Sequence, residues 1–182
     1  MKDFLATIRG YYYKARFKLF KKNIQIGEDL KVYKKLRIHG KGNIRIGKNC
    51  IIKGIRGDSG QYVTLYTHSK GATISIGNNV CLCAARISSK FAVTIGDDVL
   101  IEESGIMDTD FHSIDRSREV PANEVKDKCE VIIGARVSVG ARTIITKGVK
   151  IGNDVIIMPG SIVNRSIPSC SLVVGNPART YK

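Results

Sequence analysis

Every sixth residue from Ile133 is a large aliphatic: Ile133, Val139, Ile145, Ile151, Ile157 and Val163. Four places after each stands Val137, Thr143, Val149, Val155, Ser161 or Ile167. Gly134, Gly140 and Gly152 directly follow three of the aliphatics. A six-residue period matches neither the turn of an α-helix nor the alternation of a lone strand. It fits a parallel β-helix, in which short strands and tight turns wind a prism around stacked aliphatic side chains. An all-β solenoid is therefore the expected fold class.

The period also runs, less cleanly, through the first half of the chain. Ile26, Val32 and Ile38 keep it. Ile46 and Ile52 resume it after a two-residue slip near Gly40 and Gly42. Ile76 with Leu82, then Ile95, Ile101 and Met107, carry it on. Fifth places hold Leu30, Leu36, Cys50, Val80 and Val99. Glycine in the recurring Ile-Gly phrase suits a corner because it accepts positive φ. Asn78, Asn79, Asp97, Asp98, Asn153 and Asp154 are the other residues that tolerate such turns. All of these read as core and corner, not as sites.

The 182 residues are expected to form one principal domain. They divide into an N-terminal helix over 1–22, a repeat domain over 23–168 and a tail over 169–182. No stretch approaches the roughly 18–20 apolar residues of a membrane span, and the start lacks a signal-peptide pattern. Five cysteines without a Cys-x-x-Cys pair read as reduced thiols, and a cytoplasmic protein is expected. The net charge of +14 is concentrated early. Lys14, Lys18, Lys21, Arg9 and Arg16 interleave with Phe4, Leu5, Ile8, Tyr11, Tyr12, Leu19 and Phe20 at spacings of three and four, as in a basic amphipathic helix. Such a helix either caps the open end of the solenoid with its apolar face or contacts an anionic membrane. No nucleic-acid motif accompanies the charge, and no nucleic-acid partner is expected.

The hexads stop after Met107 and resume at Val131, leaving a projecting loop over 108–130. Insertions in a solenoid map to loops on one face, where function concentrates. This loop holds His112, one of three histidines, between Asp108, Asp110 and Asp115. A carboxylate that accepts a hydrogen bond from one imidazole nitrogen fixes the tautomer and raises the basicity of the other. His112 is thus the candidate general base, with Asp108, Asp110 and Asp115 as the carboxylates that flank it. Cys129 at the loop's end has no base beside it in sequence and is not read as a nucleophile.

From about Ile74 onward the chain resembles the hexapeptide acyltransferases. The phrases that carry the resemblance are Asp-Thr-Asp-Phe-His-Ser-Ile-Asp (108–115), Ile-Ile-Gly-Ala-Arg-Val-Ser-Val-Gly (132–140), Pro-Gly-Ser-Ile-Val (159–163) and Gly-Asn-Pro-Ala-Arg (175–179). The first points to the sugar O-acetyltransferases of capsule, lipopolysaccharide and exopolysaccharide synthesis. The resemblance implies a left-handed winding, a homotrimer with sites between subunits, acetyl-CoA as acyl donor and no metal. It implies a sugar, nucleotide-sugar or lipid-linked glycan as acceptor, and it places the base on His112 and its supporting carboxylate on Asp110 or Asp108. Carried over position by position, Ser138, Gly140, Ala141 and Pro159 line the pantetheine arm. Asn164 and Arg165 lie near the adenosine, and Arg179 and Lys182 face the CoA phosphates. A backbone N–H of Ser138, Gly140 or Ala141 serves as oxyanion donor. Ser138 stands where relatives have Trp. Pro159 removes a backbone donor from the CoA wall. Leu82 stands where galactoside enzymes carry an acceptor-binding Asn.

Three other readings share parts of this pattern. N-acetylation of a nucleotide-linked amino sugar would use the same histidine and the same groove. A zinc hydratase on the same prism needs three converging histidines. A noncatalytic β-helix assembly protein would explain the repeat but not the histidine loop or the Gly-Asn-Pro-Ala-Arg tail.

Overall fold

The structure, a computed structural model, describes residues 1–55, 60–110 and 125–181. It begins with helix α1, Lys2–Phe20. The chain then winds into coils of three strands each. The first coil is β1 Ile24–Ile26, β2 Lys31–Val32 and β3 Leu36–Gly40. The second is β4 Asn43–Ile46, β5 Ile51–Lys53 and β6 Val63–Thr67, and the third is β7 Thr73–Ile76, β8 Cys81–Cys83 and β9 Arg86–Ser89. The fourth is β10 Ala92–Ile95, β11 Leu100–Glu102 and β12 Gly105–Met107. After the loop, a short helix α2, Lys126–Cys129, leads into the fifth coil: β13 Val131–Ile133, β14 Ser138–Val139 and β15 Ile144–Ile145. The sixth is β16 Lys150–Ile151, β17 Ile156–Ile157 and β18 Ile162–Val163. Strands β19 Leu172–Val174 and β20 Arg179–Tyr181 close the chain.

Equivalent strands of successive coils pair in parallel, giving three sheets that form the sides of a prism. The winding is a left-handed parallel β-helix, as the resemblance implies. Each six-residue step brings the same side-chain position to the next wall. Ile133, Val139, Ile145, Ile151, Ile157 and Val163 all point inward and are buried, as are Val137, Thr143, Val149, Val155, Ser161 and Ile167. Burying one such aliphatic is worth about 1.5–3 kcal/mol. The stack is therefore the main source of cohesion in a fold whose strands are only two to five residues long.

Two expectations are corrected. The six-step places Met107 in the core, but Ile106 takes that place, in register with Ile87 and Ile145. The corner between β11 and β12 is one residue shorter, as is the one between β8 and β9, where the step runs from Leu82 to Ile87. The glycines of the Ile-Gly phrase do not carry positive φ. That conformation falls two residues later, on Asp29, Asn49, Asn79, Asp98, Arg136 and Asp154, all with φ between 56° and 58°. The glycines are required by close approach instead. A Cβ on Gly134 would lie 2.7 Å from the backbone of Gly152, and one on Gly47 would lie 2.4 Å from the Gly77 carbonyl oxygen. Side-chain amides and carboxylates bind the same corner from coil to coil: Asn79 Nδ2 donates to Asp98 Oδ1 at 2.9 Å.

Both ends of the prism are covered. Helix α1 packs on β1 and β2, with Ala6, Gly10 and Phe17 buried and Tyr13 against the core. Gly10 lies so close that a Cβ would meet the Leu30 carbonyl oxygen. The apolar residues that the spacing suggested for this cap, Phe4, Leu5, Ile8, Tyr11, Tyr12, Leu19 and Phe20, are exposed. The cap is made by a different, small-residue face. At the far end, Ile167 bridges to Ile151, β19 pairs with β17, and the Ala178 N–H donates to the Ile162 carbonyl at 2.9 Å. Strand β20 then folds back antiparallel on β19. Among the described residues, which include all five cysteines, there is no disulfide. Burial raises the thiol pKa of Cys50, as an inward cysteine requires.

Candidate active site

The loop that interrupts the repeat leaves the fourth coil at Asp108. This carboxylate is fully buried. It accepts the Ser89 hydroxyl at 2.8 Å, the Lys90 N–H at 2.6 Å and the Phe91 N–H at 2.8 Å. Three donors on one carboxylate fix its position and satisfy the bend between β9 and β10. Two residues on, Asp110 is half exposed and forms an ion pair with Lys147, which lies between β15 and β16. The loop's first residues are thus tied to the coil below and to the coil above. His112 lies outside the described residues, as does Lys182.

The chain stacks a second histidine beside this root. His68 follows β6, and its backbone N–H donates to the Ser89 carbonyl at 2.8 Å. Its Nε2 lies 2.7 Å from the Ser88 hydroxyl, and its ring meets the Tyr66 ring edge-on with centroids 4.3 Å apart. Burial lowers the pKa of His68; the Asp108 charge opposes that shift and the Lys90 charge adds to it. Forty-odd residues separate His68 from the loop in sequence, so spacing alone gave it no part. The signal was the coil register, which stacks Thr67 on Ser89.

The outer face of the third sheet beside His68 forms a groove of about 460 Å³, lined by Tyr62, Thr64, Tyr66, Arg86 and Ser88. Arg37 donates to the Tyr62 hydroxyl at 2.8 Å, and both Arg37 and Lys35 stand over the Tyr62 ring. No carboxylate lines this groove among the described residues.

The residues expected to hold CoA lie one wall away, at the corner between the second and third sheets. Ser138 and Gly140 sit in adjoining coil positions, but their N–H groups are committed to the inter-coil ladder, donating to Val155 and Ile157 at 2.9 and 2.8 Å. The Ala141 N–H makes no such bond among the described residues, while its carbonyl accepts the Gly160 N–H at 2.9 Å. Pro159 is exposed and stacks directly on Gly140. Asn164 and Arg165 are exposed beyond β18. Arg179 is exposed at the start of β20, after a cis Asn176–Pro177 bond. Ala141 and Pro159 thus share one corner column, with Arg179 on the closing hairpin. No group of three His, Cys, Asp or Glu side chains is placed to hold a metal among the described residues.

No family model matches the chain. It is 32% identical over 115 residues to the galactoside O-acetyltransferase of Escherichia coli (strain K12), covering 63% of this chain and 56% of that protein. It thus spans little more than half of that relative's length. It is 29% identical over 152 residues to the putative lipopolysaccharide biosynthesis O-acetyl transferase WbbJ of the same strain, covering 80% and 74%. Among solved structures, the polySia-specific acetyltransferase NeuO superposes with a TM-score of 0.58 at 27% identity, covering 87% of this chain and 81% of that one. The sequence relatives are acetyltransferases, the solved neighbour shares the prism, and the resemblance to the hexapeptide-repeat acetyltransferases holds.

Proposed function

We propose that the protein is an acetyl-CoA-dependent O-acetyltransferase acting on a sugar hydroxyl in bacterial surface polysaccharide synthesis. The observation that carries this reading is the double anchoring of the loop root, Asp108 to Ser89, Lys90 and Phe91 and Asp110 to Lys147. A loop root tied to the coil below and to the coil above gives an anchored start to the segment that carries His112, two residues beyond. His112 Nε2 or Nδ1 removes the acceptor hydroxyl proton, and the oxygen attacks the thioester carbonyl carbon. The C–S bond breaks, and the imidazolium returns its proton to the departing thiolate, giving the sugar ester and free CoA. Asp110, accessible and at the loop surface, orients the imidazole. Asp108 acts by holding the backbone.

The oxyanion takes the Ala141 N–H, since the Ser138 and Gly140 amides already serve the ladder. Pantetheine follows the corner of Ala141 and Pro159, with Asn164 and Arg165 towards the adenosine and Arg179 and Lys182 on the phosphates. Acceptor binding falls to the groove of Tyr62, Tyr66, Arg86 and Ser88. Its cations and tyrosine rings suit a glycan bearing acidic or phosphate groups, as nucleotide- and lipid-linked sugars do. A row on the outer second sheet supports self-association as a homotrimer. Leu100, Ser138, Ile156 and Leu172 lie in register, and the three large members are exposed. We place the protein in the cytoplasm, at the inner membrane face where lipid-linked acceptors are confined.

The test is product analysis. Incubation with acetyl-CoA and a panel of sugars, nucleotide sugars and lipid-linked glycans should yield an acceptor heavier by one acetyl group, stable to amidase but released by mild base. An alkali-stable product would instead support N-acetylation of an amino sugar. Failure of acetyl-CoA to raise the melting temperature would remove the enzymatic reading and leave an assembly protein.

A further inference from the structure

We infer that the outward face of α1 is a membrane-docking surface that selects anionic phospholipid. The helix has two apolar faces. Ala6, Gly10, Tyr13 and Phe17 share one direction and are spent on the first coil. At about 100° per residue, Phe4, Leu5, Ile8, Tyr11, Tyr12 and Leu19 fall together on the opposite side, within an arc of about 120°. All six are exposed, Phe4 at 69% and Leu19 at 75%. An apolar arc of that width on a solvated helix is the pattern of a helix lying in the plane of a bilayer surface.

The charge distribution selects the lipid. Lys14 and Lys18 border the arc on one side and Arg9 and Arg16 on the other. Lys21 and Lys22 continue the run past the helix end. The helix carries one acid, Asp3, and its carboxylate accepts the Tyr33 hydroxyl at 2.6 Å. Cations flanking an apolar face match phosphate headgroups above acyl chains, and a zwitterionic surface offers them little. A second copy of the same helix would bring these cations together, so self-docking through this face is opposed by repulsion. The position of α1 also suits a planar partner. Its main contacts are with β1 and β2, the terminal strands of two sheets, so the opposite face looks away from the prism. The inference rests on the membrane placement proposed above, and it is independent of acetyl transfer.

The experiment is co-sedimentation of the full chain with vesicles of phosphatidylcholine alone or mixed with phosphatidylglycerol. The bound fraction on mixed vesicles should exceed that on phosphatidylcholine by tenfold or more at low salt. It should fall steeply at about 1 M salt, where screening acts within about 3 Å. The triple variant Phe4→Ser, Ile8→Ser, Leu19→Ser changes only exposed residues. It should melt with the parent and lose vesicle binding by at least tenfold. Equal pelleting with both vesicle types, or pelleting unchanged in the triple variant, overturns the inference. So does a triple variant whose oligomeric state changes in sedimentation velocity while the parent never binds vesicles. Transfer to a water-soluble acceptor, measured in parallel, reads the enzymatic proposal separately.

Discussion

The buried carboxylate of Asp108 accepts the backbone N–H of Phe91 at 2.8 Å, sewing the point where the repeat breaks off to the coil beneath it. With Lys90 and Ser89 on the same carboxylate, removal of the side chain strands two amides in a partly buried bend, while the Ser89 hydroxyl keeps the Thr73 carbonyl as acceptor. An unsatisfied buried group costs about 1–3 kcal/mol. Asp108→Ala should therefore lower the melting temperature by several degrees, at about 2–4 °C per kcal/mol for a domain of this size. Asp110→Ala, whose partner Lys147 is an accessible cation, should shift it by a degree or two at most. Equal melting of the two variants would contradict the division of labour between these aspartates.

His112→Ala is expected to leave the melting temperature and its rise with CoA unchanged. Transfer should fall by about 10²–10⁴-fold, the usual contribution of a positioned base. Asp110→Asn should show a smaller loss with the acceptor KM nearly constant, as befits a residue that acts through the imidazole. Full turnover by His112→Ala with a competent acceptor would remove the mechanism.

Gly134 is set by contact and Gly71 is not, and the two make opposite predictions. Gly134→Ala drives a methyl against the Gly152 backbone at 2.7 Å and Asn153 Oδ1 at 2.5 Å, and should destabilise by about 1–3 kcal/mol. Gly71 has open space where a Cβ would stand. Gly71→Ala should be neutral or stabilise by up to about 1 kcal/mol, because it restricts the unfolded chain. Chemical denaturation of the pair checks both signs.

His68 should titrate below the ordinary histidine value of 6.5, because burial disfavours its cation. The unfolded chain then binds the proton more readily. The contribution of His68 to stability is complete above the unfolded value and is lost as pH falls from there through the folded one. An NMR titration of the ring measures the shift directly. Asp108→Asn should move it lower still, since the Asp108 charge favours the imidazolium. A ring that titrates at or above 6.5 in the parent would show that the Asp108 charge outweighs the desolvation of the ring.

The inward column from Ile133 to Val163 was legible because one side-chain position recurs at a fixed step, and the burial of all six residues follows it. Met107 misled because a corner can lose a residue without disturbing the strands, so the period counts residues where the fold counts walls. Gly134 was assigned the right place for the wrong reason: the backbone of the adjacent coil is invisible to a reading of one corner. The helix was legible as an element. Its capping face was not, because Ala6 and Gly10 bury by closeness and carry almost no hydrophobic signal. Asp108 and Asp110 looked interchangeable in sequence, and only their partners in neighbouring coils separate them. His68 joins the loop root through stacking, a relation that becomes visible once the coil length is known.

The antiparallel turn of β20 onto β19 has a consequence for the length of the molecule. A parallel prism has no intrinsic stop, since its last coil presents the same open hydrogen-bonding groups as every coil before it. Another copy could stack there and continue the fibre. Here the tail crosses all three walls at Ile167, β19 and Ala178 and reverses direction, while α1 covers the opposite end. The polymerisation that its own repeat invites is thus terminated from within the chain, and the exposed sides of the prism are left as the surfaces for assembly.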